Sequence, residues 1–194
     1  RLSAQYGDVP VAAFGIVKKI DMLPINISMG ICQGYMPLVG YNYASKNYKR
    51  MWAITRFAWI CSLIFSAACV LGAWLFSTSI ITLFIEHKAT VELGAKFLRI
   101  ASLGVPLTVV NFLISYGLQA MGLGKPSFIL SAIRLGLLNI SITLLLDHYF
   151  GMFGVISGQP VTEIFAFLIS GSVYYVILRR LMAEITTEPT RELC

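Results

Sequence analysis

Lys19, Asp21, Arg134 and Glu163 interrupt stretches of sequence that are otherwise almost wholly apolar. Each such charge costs at least ~2.5–3.5 kcal/mol at the centre of a bilayer unless it is paired or faces water. The chemistry open to them is charge pairing, binding of a charged solute, or carriage of a proton or cation. Lys18 and Asp21, three residues apart, can neutralise each other on one helix. Arg134 and Glu163 can meet as an ion pair between neighbouring helices, and a structural and a functional role for that pair are equally open. Lys19 reads as functional, because its turn of helix shares a face with amides.

The elements that must hold these residues follow from composition. The chain has 194 residues, 57% hydrophobic and 12% charged, with a net charge of +6 and a mean hydropathy of +0.78. That is more apolar than soluble domains, and it excludes disorder as well. Residues 57–85 and 100–124 carry no ionisable Asp, Glu, Lys, Arg or His, and each exceeds the ~20 residues that cross ~30 Å of hydrocarbon. Residues 126–146 carry only Arg134 and residues 149–178 only Glu163, which predicts two more crossings. A fifth helix is expected over about 9–44, with Pro24 and Pro37 as kinks. The sequence thus predicts an all-α membrane protein with five transmembrane helices at about 9–44, 53–85, 91–122, 126–147 and 151–181. A cytoplasmic tail is expected over 182–194.

Short polar connections make successive crossings antiparallel. Lys46, Lys49, Arg50 and Arg56 surround the first connection, Lys125 lies in the third, and Arg179, Arg180 and Arg191 follow the last helix. The positive-inside tendency puts these ends, and the C-terminus, in the cytoplasm of a multi-pass plasma-membrane protein. Trp52, Trp59 and Trp74 read either as interface anchors or as lipid-facing bulk. Counting 1.5 Å per residue puts Lys19, Asp21 and Glu163 roughly 15–18 Å deep and Arg134 about 12 Å from the inner end.

At 100° per residue, Lys19, Asn26, Gly30, Gln33 and Pro37 fall on one side of the first helix, with Ile20, Ile27, Ile31 and Leu38 opposite. Gly104, Thr108, Asn111, Ser115, Gln119 and Gly122 form a similar stripe on the third helix. Gln159, Glu163, Ser170 and Tyr174 do so on the fifth, whereas the second shows none and reads as peripheral. Any single small or amide residue is more readily explained by helix packing than by solute binding. Together the stripes predict a substrate and ion cleft lined by Lys19, Asp21, Asn26, Gln33, Asn111, Gln119, Glu163 and Tyr174.

Other chemistry finds no support. Cys32, Cys61, Cys69 and Cys194 form no CxxC pair or metal-ligand spacing, and His87 and His148 are expected in loops. There is no HExxH, catalytic carboxylate pair or Ser/His/Asp set, so an enzyme is not expected. The basic residues are explained by topology, so no nucleic-acid partner is expected. No cofactor or metal is predicted. The start at Arg1, without Met or a secretory leader, reads as a fragment whose upstream part is missing.

The stretch Gln33-Gly34-Tyr35-Met36-Pro37-Leu38-Val39-Gly40-Tyr41-Asn42-Tyr43-Ala44, followed by Lys46-Asn47-Tyr48-Lys49-Arg50, resembles the QGxxPxxGxNxGA-type segment of multidrug and toxic compound extrusion (MATE) transporters. Tyr6-Gly7-Asp8, Ala12-Ala13-Phe14-Gly15-Ile16, Gln119-Ala120-Met121-Gly122 and Gly124-Lys125-Pro126 follow the family's order. The resemblance implies helices eight to twelve of a twelve-helix transporter with two six-helix lobes, here a partial C-terminal lobe over residues 1–194. It implies export of organic cations or amphipathic drugs in exchange for protons or sodium ions, by alternating access. The implied partners are those small molecules, membrane lipids and the missing N-terminal lobe. Gln33, Pro37, Gly40 and Asn42 match the family segment and carry helix geometry and packing, with a hinge at Pro37 and Gly40. Sodium-coupled relatives use acidic residues on helices seven and ten. The helix matching the tenth has Asn111 and Gln119 instead, so Asp21 and Glu163 remain as deep carboxylates unless coupling resides in the other lobe. A lipid-linked oligosaccharide flippase of the same superfamily is the alternative, ranked lower because only Lys18, Lys19 and Arg134 could receive a diphosphate.

Overall fold

A computed structural model describes residues 7–187, with side chains over 7–180. Tyr6, Arg191, Cys194 and most of the expected tail at 182–194 lie outside the described residues. The fold is all-helical: α1 (Asp8–Ala44), α2 (Tyr48–Thr82), α3 (Lys88–Ser102), α4 (Val105–Ala120), α5 (Gly124–Ala132), a π-helical segment (Ile133–Leu138), α6 (Asn139–Phe150) and α7 (Met152–Thr187). These make five long rods, because α3 runs into α4 and α5 runs through the π segment into α6. Four of them, Tyr48–Thr82, Lys88–Ala120, Gly124–Phe150 and Met152–Arg180, are long and apolar enough to cross a membrane. α1 has the length, at 37 residues, but Lys18, Lys19 and Asp21 lower its apolarity.

Several boundaries differ from the sequence reading for local reasons. α2 begins at Tyr48 rather than 53, because Asn47 caps it by accepting a bond from the Arg50 amide at 3.3 Å. It ends at Thr82, with non-helical torsions at Phe76. The expected single helix over 91–122 starts at Lys88 and breaks at Leu103–Gly104, where Pro106 occupies the first turn of α4. The break also brings α4 close to α7, since a Cβ on Gly104 would lie 3.1 Å from the Pro160 Cα. The fourth rod starts at Gly124 rather than 126, and α6 runs to Phe150, so His148 sits in its last turn and not in a loop. Gly151, at φ 57°, makes the reversal into α7.

Packing combines a bulky core on α3 and α4 with small residues where α2 approaches it. α4 is the most enclosed element, with Val105, Val109, Asn111, Leu113, Ile114 and Leu118 buried. On α2, Thr55, Ala58, Ser62, Ser66, Ala73 and Ser77 face inward, a stripe the sequence reading missed, while Phe57, Ile64, Leu71 and Leu75 face out. Thr55 and Ser66 donate to the carbonyls of Met51 and Leu63, which satisfies both hydroxyls within the helix. α6 and α7 approach most closely at Gly154 and Gly158, packed against the Leu146 carbonyl and Thr143.

Candidate functional site

α1 divides into two faces. Ala13, Val17, Asp21, Ser28, Cys32, Tyr35, Val39 and Asn42 are buried against the other helices, at the three- and four-residue spacing of a packed helix. Lys19, Asn26, Gly30, Gln33 and Pro37 are all exposed. The polar stripe is therefore turned away from this bundle, whereas Asp21, expected to line the same cleft, points inward. Gly40 lies against α4, where a Cβ would stand 3.0 Å from the Ala120 carbonyl oxygen. Asn42 donates to the Leu38 carbonyl at 2.7 Å, satisfying its amide inside α1.

Asn111 of α4 and Glu163 and Ser170 of α7 pack together inside the bundle instead of lining an open surface. Arg134, 5% exposed on the π segment, places Nη1 3.3 Å from both carboxylate oxygens of Glu163, itself 5% exposed. Asn111 Nδ2 donates to Glu163 Oε2 at 2.7 Å and to its backbone carbonyl at 3.3 Å, and Ser170 Oγ donates to Asn111 Oδ1 at 2.7 Å. Arg134 also lies over the Phe112 ring, 4.6 Å from its centroid. The π turn shifts the helical register by one residue and so helps to aim Arg134 into the bundle. Charge and hydrogen bonds are satisfied at both carboxylate oxygens, the condition under which a buried pair persists. Phe112 and Ser170 were absent from the expected site residues. Ser170 lay on the α7 stripe, seven residues from Glu163, and could have been included.

Gln119 is exposed on α4, and its Nε2 donates to Ser127 Oγ at 2.9 Å, which in turn donates to the Ser115 carbonyl. This relay ties α4 to α5. Tyr174 is half-buried and stacks on Trp59 at 6.2 Å between centroids. Gly117 makes room for this layer, since a Cβ there would meet the Tyr35 hydroxyl at 2.9 Å and the Tyr174 hydroxyl at 3.8 Å. Tyr35 donates to the Leu113 carbonyl at 2.7 Å. A glycine inside an otherwise apolar helix was the available signal for this close approach.

Lys18 does not turn to Asp21 for its hydrogen bond; Nζ donates to Gln159 Oε1 on α7. Asp21 is 4% exposed, and its Oδ2 has no hydrogen-bond partner among the described residues. Also among the described residues, no group of three or more His, Cys, Asp or Glu side chains could hold a metal ion.

The MatE family model matches residues 2–145. Multidrug export protein MepA of Staphylococcus aureus strain MRSA252 is 28% identical over 181 residues, covering 93% of this chain and 40% of that protein. MepA of Staphylococcus saprophyticus is 26% identical over the same length. The chain thus spans about 40% of the length of these curated relatives. In fold it is similar to the Vibrio cholerae MATE transporter VcmN in the bent form, with a TM-score of 0.83 at 21% identity, over 92% of this chain and 41% of that one. It is also similar to an outward-facing multidrug resistance MATE family transporter of the MOP superfamily, with a TM-score of 0.82 at 23% identity, over 90% and 40% of the two chains. With four spans apolar enough to cross a membrane and a family match over most of its length, the chain belongs to the MatE family, whose members are multi-pass membrane transporters and not enzymes.

Proposed function

We propose that this bundle is part of the C-terminal lobe, over residues 1–194, of a secondary multidrug exporter that moves organic cations or amphipathic drugs out of the cell in exchange for protons or sodium ions. The observation that carries this reading is the exposed polar face of α1. Lys19, Asn26 and Gln33 stand at membrane depth and are exposed, with none of the described helices covering them, which in hydrocarbon requires water or another protein surface. A second lobe across an aqueous cleft meets that requirement, and alternating access between the lobes would expose the cleft to each side in turn. MepA, a multidrug export protein by name, supports the substrate class. The basic ends of the helices support a cytoplasmic C-terminus in the plasma membrane.

The flippase alternative loses ground in the geometry. Of the three basic candidates, Lys18 is bonded to Gln159 and Arg134 to Glu163, which leaves Lys19 on the open face to meet a diphosphate. The test is dye efflux by the full-length protein in vesicles under an imposed proton gradient and, separately, a sodium gradient. Efflux driven by one of them is expected. No efflux under either would refute the exchange.

A further inference from the structure

A cavity of about 250 Å³ lies between α1, α2 and the α3–α4 junction, near the midpoint of each span. Its walls are hydrocarbon, including Ile20, Leu23, Ile27, Phe65, Val70 and Leu98. Asp21 lines the same cavity and brings to it the buried, unpartnered Oδ2. Ser102 also lines it, but its hydroxyl is engaged, donating to the Arg99 carbonyl at 3.1 Å. Among the described residues no Lys, Arg or His lines the walls; Lys18 acts on Asp21 electrostatically from outside the cavity, while its Nζ donates to Gln159. Within the cavity Oδ2 has no hydrogen-bond partner, and hydrocarbon walls do not supply the one that a buried polar atom requires. Three irregularities border the space: Pro24 in α1, the non-helical Phe76 in α2 and the break at Leu103–Gly104.

We propose that this cavity binds a lipophilic organic monocation, with Asp21 as its counter-charge, at a site separate from the polar face of α1. A hard metal ion takes about six oxygen ligands, and one carboxylate beside an engaged hydroxyl does not supply them. A cation whose charge is wrapped in carbon satisfies the carboxylate and the apolar wall together. Leu23 and Ile27, 63% and 51% exposed, form the rim, so the mouth opens among apolar side chains where a cation partitioned into the bilayer arrives. That the occupant is cargo rests on the exporter reading above.

The probe is benzyltrimethylammonium, compared with its uncharged carbon isostere neopentylbenzene, on the purified full-length protein. The wild type is expected to bind the cation at least tenfold more tightly than the isostere. Asp21→Asn is expected to weaken cation binding at least tenfold. Gly72→Leu, which keeps the carboxylate but fills the wall at a position where a Cβ meets nothing within 4 Å, should do the same. Cys69 lines the cavity, so in the unmutated protein benzyltrimethylammonium should slow its alkylation by N-ethylmaleimide. Equal affinity for the isostere, unchanged affinity in Asp21→Asn, or unprotected Cys69 would overturn the site. Dye efflux separates the two readings: efflux with cation affinity indifferent to Asp21 overturns the site alone, and affinity that falls in Asp21→Asn upholds the site even where efflux is absent.

Discussion

Arg134 and Glu163 share one low-polarity environment, and each makes the other tolerable there. Removing one partner leaves a buried charge without compensation, a loss on the order of 3–5 kcal/mol. Arg134→Ala and Glu163→Ala should therefore each lower the thermal midpoint in detergent and the yield of folded protein. The exchanged pair Arg134→Glu with Glu163→Arg should recover part of both, and a double variant no better than the worse single would contradict a pairwise role. The depths of the two residues, one on each of two consecutive helices, made this pair legible from sequence. Its amide partner Asn111 was visible only as part of a stripe, because helix wheels do not say which stripes meet. The Lys18–Asp21 reading holds in part for a related reason. The two charges act on each other as their spacing suggests, yet the lysine's long side chain gives its hydrogen bond to Gln159, 141 residues away. Lys19, on the open face, makes a different prediction. Lys19→Ala should leave stability within about 0.5 kcal/mol, as for surface sites. It should strengthen binding of cationic dyes by up to about tenfold, because a like charge is removed from the cleft. Weaker binding of those dyes would place Lys19 elsewhere.

Among the elements, α6 and α7 depend on glycine. A Cβ on Gly158 would lie 2.6 Å from Thr143 Oγ1, and one on Gly154 would run into the Leu146 carbonyl. Gly158→Ala should cost roughly 1–3 kcal/mol, with partial recovery when Thr143→Ala is added, whereas Gly154→Ala meets backbone and has no such remedy. Thermal melts of the single and double variants check this, and full stability of Gly154→Ala would refute the contact. The spacing Gly154-x-x-x-Gly158 was available in the sequence as a close-packing signal. Charge gaps located the rods well, since ionisable residues cluster where the chain meets water. They could not locate the break at Leu103–Gly104 or the π segment around Arg134. Neither stands out in the charge pattern, and both lie where the rods meet α7, at Pro160 and at Glu163. Pro106 was the one local cue, fitting a helix start better than a helix interior.

For the molecule as a whole, the stripes predicted from sequence have separate fates. Those of α4 and α7 meet each other at Asn111, Glu163 and Ser170 and are otherwise tied to neighbouring helices, while that of α1 stays open. A sequence wheel shows that a face is polar, but only packing shows whether the polarity is consumed. The aqueous cleft proposed here therefore stands on α1. Asn26→Cys and Gln33→Cys, placed one at a time in full-length protein whose native cysteines are replaced, can be labelled in membranes with a water-soluble thiol reagent, beside Leu71→Cys on the outward face of α2. Rapid labelling is expected at 26 and 33, slowed by a transported cation, with little labelling at 71. Labelling at 26 and 33 as slow as at 71, with and without an imposed ion gradient, would contradict the aqueous cleft.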